Sequence, residues 1–153
     1  MFNLSKRSAS RLAEVHPDLQ RVVELAIRKT KTDFSVLEGI RSATRQKQLV
    51  ASGASKTLDG RHITGHAVDL GAWVDGKTSW EWEHYYSIAE AMRDSAAELG
   101  VPIVWGGVWD KPLNTLRDTR KAVEAYVRSR RAIGRDAFID GPHFELDRKA
   151  YPA

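Results

Sequence analysis

The segment His66–Trp73, HAVDLGAW, constrains the fold most strongly. Its apolar residues alternate over a length that suits one half-buried strand. Yet Asp69 stands in it between Val68 and Leu70. An unpaired carboxylate is expensive to bury in an apolar strand. Asp69 must therefore face water, pair with one of the chain's many arginines, or hold a metal ion.

The neighbouring residues keep the metal alternative open. A zinc peptidase needs three protein ligands, an open position for water, and a carboxylate to take that water's proton. His62 and His66 have the i, i+4 spacing that puts two imidazoles on one helical face. The zincin pattern, however, has Glu directly after its first histidine, where this chain has Ile63, and Gly65 together with the following strand opposes a helix. His62 and Asp69 can instead converge if the chain turns at Gly65. A third place is DGPHFEL, with Asp140, His143 and Glu145. There Asp140 could stand beside a metal-bound imidazole without binding the metal, or simply belong to a polar turn before a strand. His16, just before Pro17, reads as a helix-start residue, and His84 as part of a charged helix.

Composition limits the alternatives. Cysteine is absent, which excludes disulfides and thiolate metal sites. No apolar run approaches the ~20 residues that span a bilayer. The N-terminal MFNLSKRSASRLAEVHPDL lacks the apolar stretch of a secretory signal, so the chain is expected to be made in the cytoplasm. With 153 residues, no repeat and no long linker, one domain over residues 1–153 is expected, without a separate wall-binding domain. Net charge +4 favours anionic partners such as acidic cell-envelope polymers. Nucleic-acid binding rests on charge alone and ranks low.

Pro17 suits a first helical position, and Leu19, Val22, Val23, Ala26 and Ile27 follow at helical spacing. DFSVLEGI (Asp33–Ile40) reads as a strand, ATRQKQLVASG as a short helix closed by Gly53, and Ser55–Gly65 as a loop. Thr78 and Glu81 fit a capping box ahead of a long helix. Its buried stripe is Tyr85, Ile88, Ala89, Met92, Ala96 and Leu99, and Gly100 stops it. VPIVWGG reads as a strand, Arg117–Arg131 as a helix, and GPHFEL as a final strand. Helices first, then strands interleaved with helices, predict an α+β fold with a small, mostly antiparallel sheet flanked by helices.

Taken together, His62, Gly65, Ala67 and Asp69 form H-x-x-G-x-A-x-D, and Asp140-x-x-His143 follows far downstream. This pattern resembles the zinc peptidases that include D-alanyl-D-alanine carboxypeptidases and dipeptidases and phage L-alanyl-D-glutamate endopeptidases, which share the Hedgehog-like fold. EGIRSATRQ matches an upstream family element, and WGG (Trp105–Gly107) and PHFE (Pro142–Glu145) match the phage endolysin branch. The resemblance implies Zn²⁺ on His62, Asp69 and His143, with Asp140 as general base for the attacking water. It implies that Arg41 binds substrate and steadies the oxyanion, with Gln46 in support. His66 falls on a variable position and is not carried over. Gly60 replaces a serine found in many members, and Asp140 replaces the more common glutamate, a change that favours the phage branch.

Trp73, Trp80, Trp82, Trp105 and Trp109 are many tryptophans for this length. Trp80 and Trp82, at a helix start, are expected to pack in the core. Trp105 and Trp109 flank a glycine turn and are expected as substrate-binding walls. Arg117, Arg120, Lys121, Arg128, Arg130, Arg131 and Arg135 read as a solvated face, with contact to anionic envelope as the functional alternative. The implied function is that of a monomeric zinc endopeptidase of phage lysis, cutting L-alanyl-D-glutamate in the peptide stem of peptidoglycan. It would reach the wall after a separate membrane-permeabilising protein releases it. A D-alanyl-D-alanine carboxypeptidase or dipeptidase with the same metal site is the alternative, and a non-catalytic zinc-binding module ranks lower.

Overall fold

The computed structural model describes residues 1–40, 47–48, 50–53 and 61–152. Helices α1 (Lys6–Leu12) and α2 (Pro17–Lys29) lead into strand β1 (Phe34–Glu38). Strands β2 (Ala67–Val74) and β3 (Lys77–Ser79) precede the long helix α3 (Trp82–Leu99). Strand β4 (Ile103–Trp105), a 3₁₀ turn (Leu113–Thr115), helix α4 (Thr119–Ala132) and strand β5 (His143–Leu146) complete the α+β fold. No helix among the described residues is long and apolar enough to cross a membrane.

The sheet is antiparallel in the order β1-β2-β5-β4, with β3 paired to the far end of β2. The last strand in sequence therefore enters the middle of the sheet. Its register sets His143 opposite Asp69 and Glu145 opposite Ala67. Side chains alternate across a strand, so Val68, Leu70, Ala72, Phe144 and Leu146 enter the core. Helices α2 and α3 pack against each other there. Asp69, Gly71, Trp73, His143 and Glu145 occupy the other face.

The expected stripes of α2 and α3 are buried, except that Leu99 is only partly covered. His16 caps α2, its Nδ1 accepting from the Asp18 backbone N–H at 3.1 Å. Gly100 ends α3 at φ 69°, a left-handed conformation that glycine adopts without strain. The capping box at Thr78 and Glu81 does not form. Thr78 pairs with Trp73 as part of β3, and Glu81 itself is the N-cap, without a side-chain hydrogen bond. Two elements had no signal strong enough to be predicted: β3, with three residues, and α1. The latter covers the edge of β1, with Val36 N–H donating to Ser8 Oγ at 2.9 Å and Arg11 donating to Val36 O at 3.0 Å. The ATRQKQLVASG helix falls partly outside the described residues. Lys47, Gln48, Val50 and Ala51 are helical, and Gly53 follows at φ 82°.

Candidate metal centre

The strand Ala67–Val74 begins just after a turn in which Gly65 takes φ 76°. That turn folds the chain back, so that the His62 side chain meets Asp69 on the open sheet face. His62 Nε2 lies 3.1 Å from Asp69 Oδ1, and His143 Nδ1 lies 3.4 Å from the same oxygen. One donor atom from each of His62, Asp69 and His143 falls within 4.8 Å of the others, close enough to hold a metal ion. The three side chains thus come together as the sequence pattern predicts.

The outer nitrogen of each imidazole is already engaged. His62 Nδ1–H donates to Gly39 O at 2.9 Å, because a carbonyl can only accept. His143 Nε2–H donates to Glu145 Oε1 at 2.9 Å. In a neutral ring the remaining nitrogen then carries a lone pair, and both lone pairs face one carboxylate oxygen. Acceptors facing acceptors are satisfied by a cation between them, either a proton or a metal ion. The donor set of two imidazoles and one carboxylate therefore fits a metal ion held by nitrogen and oxygen. Such outer hydrogen bonds orient metal-binding imidazoles.

Electrostatics follow the same geometry. Burial opposes charge on Asp69, yet hydrogen bonds from His143 and His62 hold its carboxyl well below the usual range. Burial also opposes charge on His143, but Asp69 and Glu145 outweigh it and push the imidazole up to about 9. Glu145, likewise buried, is lowered by its bond to His143 and by Arg148 and Arg61.

Sequence reasoning named Glu145 beside Asp140 and His143 but gave it no role in the site. The available signal was its i, i+2 spacing from His143, which puts both on one face of β5. Arg61 was missed. It is buried beside His62 and donates to Leu146 O at 3.3 Å and Tyr151 O at 2.6 Å, tying the His62 turn to the end of β5.

Asp140 is half-buried on the turn before β5, whose residues 140 and 143 are joined by a His143 N–H to Asp140 O bond of 3.1 Å. Gly106 holds this turn. It accepts from Asp140 N–H and donates to His143 O, each at 2.8 Å, and a Cβ on it would stand 2.1 Å from Asp140 O. Only glycine permits that approach.

Trp105 is a correction. It is fully buried and donates through Nε1 to Gly141 O at 2.8 Å, so it supports the turn from the core and forms no substrate wall. Alternation along β4 explains this: Trp105 shares the inward face with Ile103. Trp109 is half-buried, with its ring centred 5.0 Å from that of His143. Trp80, expected in the core, is 63% exposed, whereas Trp82 packs against the core. His66 is turned away from Asp69; its Nδ1 lies 2.7 Å from Thr64 Oγ1, and its ring lies 5.6 Å from that of His16. Six of the seven basic residues from Arg117 to Arg135 are exposed, and the seventh, Arg130, is partly so. Arg120 also lies over the Tyr86 ring at 4.4 Å. Arg41, Gln46 and Gly60 lie outside the described residues.

The family model for the phage L-alanyl-D-glutamate peptidase matches residues 1–147. The L-alanyl-D-glutamate peptidase of Escherichia phage T5 is 33% identical over an alignment of 113 residues that covers 71% of this chain and 82% of the relative. The crystal structure of the Serratia marcescens L-Ala D-Glu endopeptidase ChiX is 43% identical, with a TM-score of 0.73. That match covers 97% of this chain and 92% of the other.

Proposed function

We propose, because the chain belongs to the phage L-alanyl-D-glutamate peptidase family, that it is a zinc endopeptidase cutting the L-alanyl-D-glutamate bond of the peptidoglycan stem. The observation that carries this reading is the buried His62–Asp69–His143 cluster, with both imidazoles fixed from behind by Gly39 O and Glu145. Two nitrogens and one oxygen suit a catalytic zinc, which keeps a fourth position open. His62 would bind through Nε2, His143 through Nδ1 and Asp69 through a carboxylate oxygen. Zinc held there supplies a Lewis acid for the scissile carbonyl and makes a water acidic near neutral pH.

The remaining steps belong to the chain. Asp140 takes a proton from the attacking water on its carboxylate and passes it to the departing amine of D-glutamate. The turn fixed by Gly106 supports that role by keeping Asp140 in register with His143. Trp109, whose ring lies 5.0 Å from that of His143, walls that side of the site for substrate. Arg41 steadies the oxygen that gains charge, and Gln46 supports the site. The exposed basic residues around α4 offer anionic envelope polymers a screened, salt-sensitive attraction.

Digestion of purified muropeptides followed by terminal analysis tests the bond choice. The expected result is a new amino terminus on D-glutamate. Release of free D-alanine would instead identify a carboxypeptidase.

Proton and cation compete for His143, and the sign can be worked out. Its raised value of about 9 means the ring is mostly protonated at neutral pH without metal. Zinc must displace that proton, so its affinity rises as pH increases towards 9 and falls on acidification. The expected slope is about tenfold per pH unit between about pH 6 and 8. A titration against a competing chelator across that range measures it, and a flat profile would contradict the assignment of His143.

A further inference from the structure

The metal cluster occupies only one end of the open sheet face. Along β2 the same face continues through Gly71 to Trp73. Gly71 adds no side chain, and Leu37 lies so close over it that a Cβ there would meet Leu37 atoms at 2.7 Å. The floor between the cluster and Trp73 is therefore apolar, with Leu37 lying across Gly71. Trp73 is 42% exposed, and Trp80, two residues beyond Trp73's partner Thr78, is 63% exposed. Both exposed tryptophans among the described residues thus stand at this end of the sheet. Beside Trp73 a shallow, open depression is lined by Phe2, Lys31, Asp33, Trp73, Asp75 and His84. An aromatic plate bordered by lysine and carboxylates matches a sugar ring, which offers C–H faces for stacking and hydroxyls for hydrogen bonds.

We propose that the Trp73 end of the sheet face is a saccharide subsite that takes the muramyl sugar carrying the stem peptide. The inference rests on the peptidase reading and adds a substrate requirement to it. Its geometry follows from the strand. At about 3.3 Å per residue, Trp73 stands about 13 Å along β2 from Asp69. The alanine whose carbonyl is cleaved is joined to the sugar through a lactyl group. Two residue-lengths, about 7–8 Å, therefore separate the scissile bond from the sugar ring. The ring's own width and the reach of an indole close the remaining gap.

On the other side of Asp69, Glu145 faces Ala67 across the strands, with Arg148 3.4 Å from it. That end carries a paired carboxylate and guanidinium, whereas the Trp73 end offers exposed aromatic surface, which suits a sugar face.

Two substrates separate the contributions: a disaccharide-linked stem peptide and the same peptide without sugar. The wild-type protein is expected to cleave the sugar-linked peptide with the lower KM. Trp73→Ala is expected to raise that KM about tenfold, the upper range for one aromatic contact, with kcat unchanged. It should leave the sugar-free peptide unaffected, and Trp73→Phe should restore most of the loss. If Trp73→Ala changes both substrates alike, or neither, the subsite is overturned while the peptidase reading stands. If the wild-type protein cleaves neither substrate, the peptidase reading falls and the subsite with it.

Discussion

A His62→Ala protein is expected to lose its zinc and its activity, whereas His66→Ala keeps both. The two histidines are four residues apart in the sequence, but the structure sends them to different places. His62 Nε2 faces Asp69 Oδ1 at 3.1 Å, while His66 lies against Thr64 and His16. Structural zinc sites with four ligands bind with about 10–16 kcal/mol. Removing one of three protein ligands should therefore cost roughly 3–5 kcal/mol, or about 10²–10⁴ in affinity. Zinc titration of both variants measures this directly. Loss of zinc from both variants would instead restore a helical His62–His66 pair, and a dispensable His62 would overturn its assignment as a ligand.

The second large effect concerns Asp140. Asp140→Ala is expected to retain zinc but lose about 10²–10⁴ in kcat, the range that positioned acid–base groups contribute. Gly106→Ala should reach a similar loss by another route. Its new Cβ would stand 2.1 Å from Asp140 O, so the Asp140–His143 turn must move. Because Gly106 also bonds His143 O, this variant should weaken zinc binding as well. The pair separates chemistry from positioning: zinc stoichiometry is kept in the first and reduced in the second. An Asp140→Ala protein that binds zinc and still cleaves at the wild-type rate would overturn the general-base assignment.

Much of this site was legible because its cost was legible. Asp69 between Val68 and Leu70 called for a partner, and the family resemblance, not the local spacing, supplied His143 as the third ligand. What local sequence could not convey was the path of β5. Its insertion between β2 and β4 is a long-range pairing, and it alone sets His143 opposite Asp69. The missed residues share a cause. Arg61 and Gly106 act through tertiary contacts, and each looks ordinary among its sequence neighbours. The tryptophans misled for the same reason. Trp105 follows the inward alternation of β4, and Trp80 lies outside any strand or helix that would bury it. The capping box failed because β3 claimed Thr78 for the sheet.

The most direct test couples metal analysis to peptidoglycan digestion before and after chelation. The account predicts one zinc per chain and new D-glutamate amino termini in the digest. Both should vanish with chelator and return together when zinc is restored. Undiminished cleavage by protein stripped of metal would contradict it.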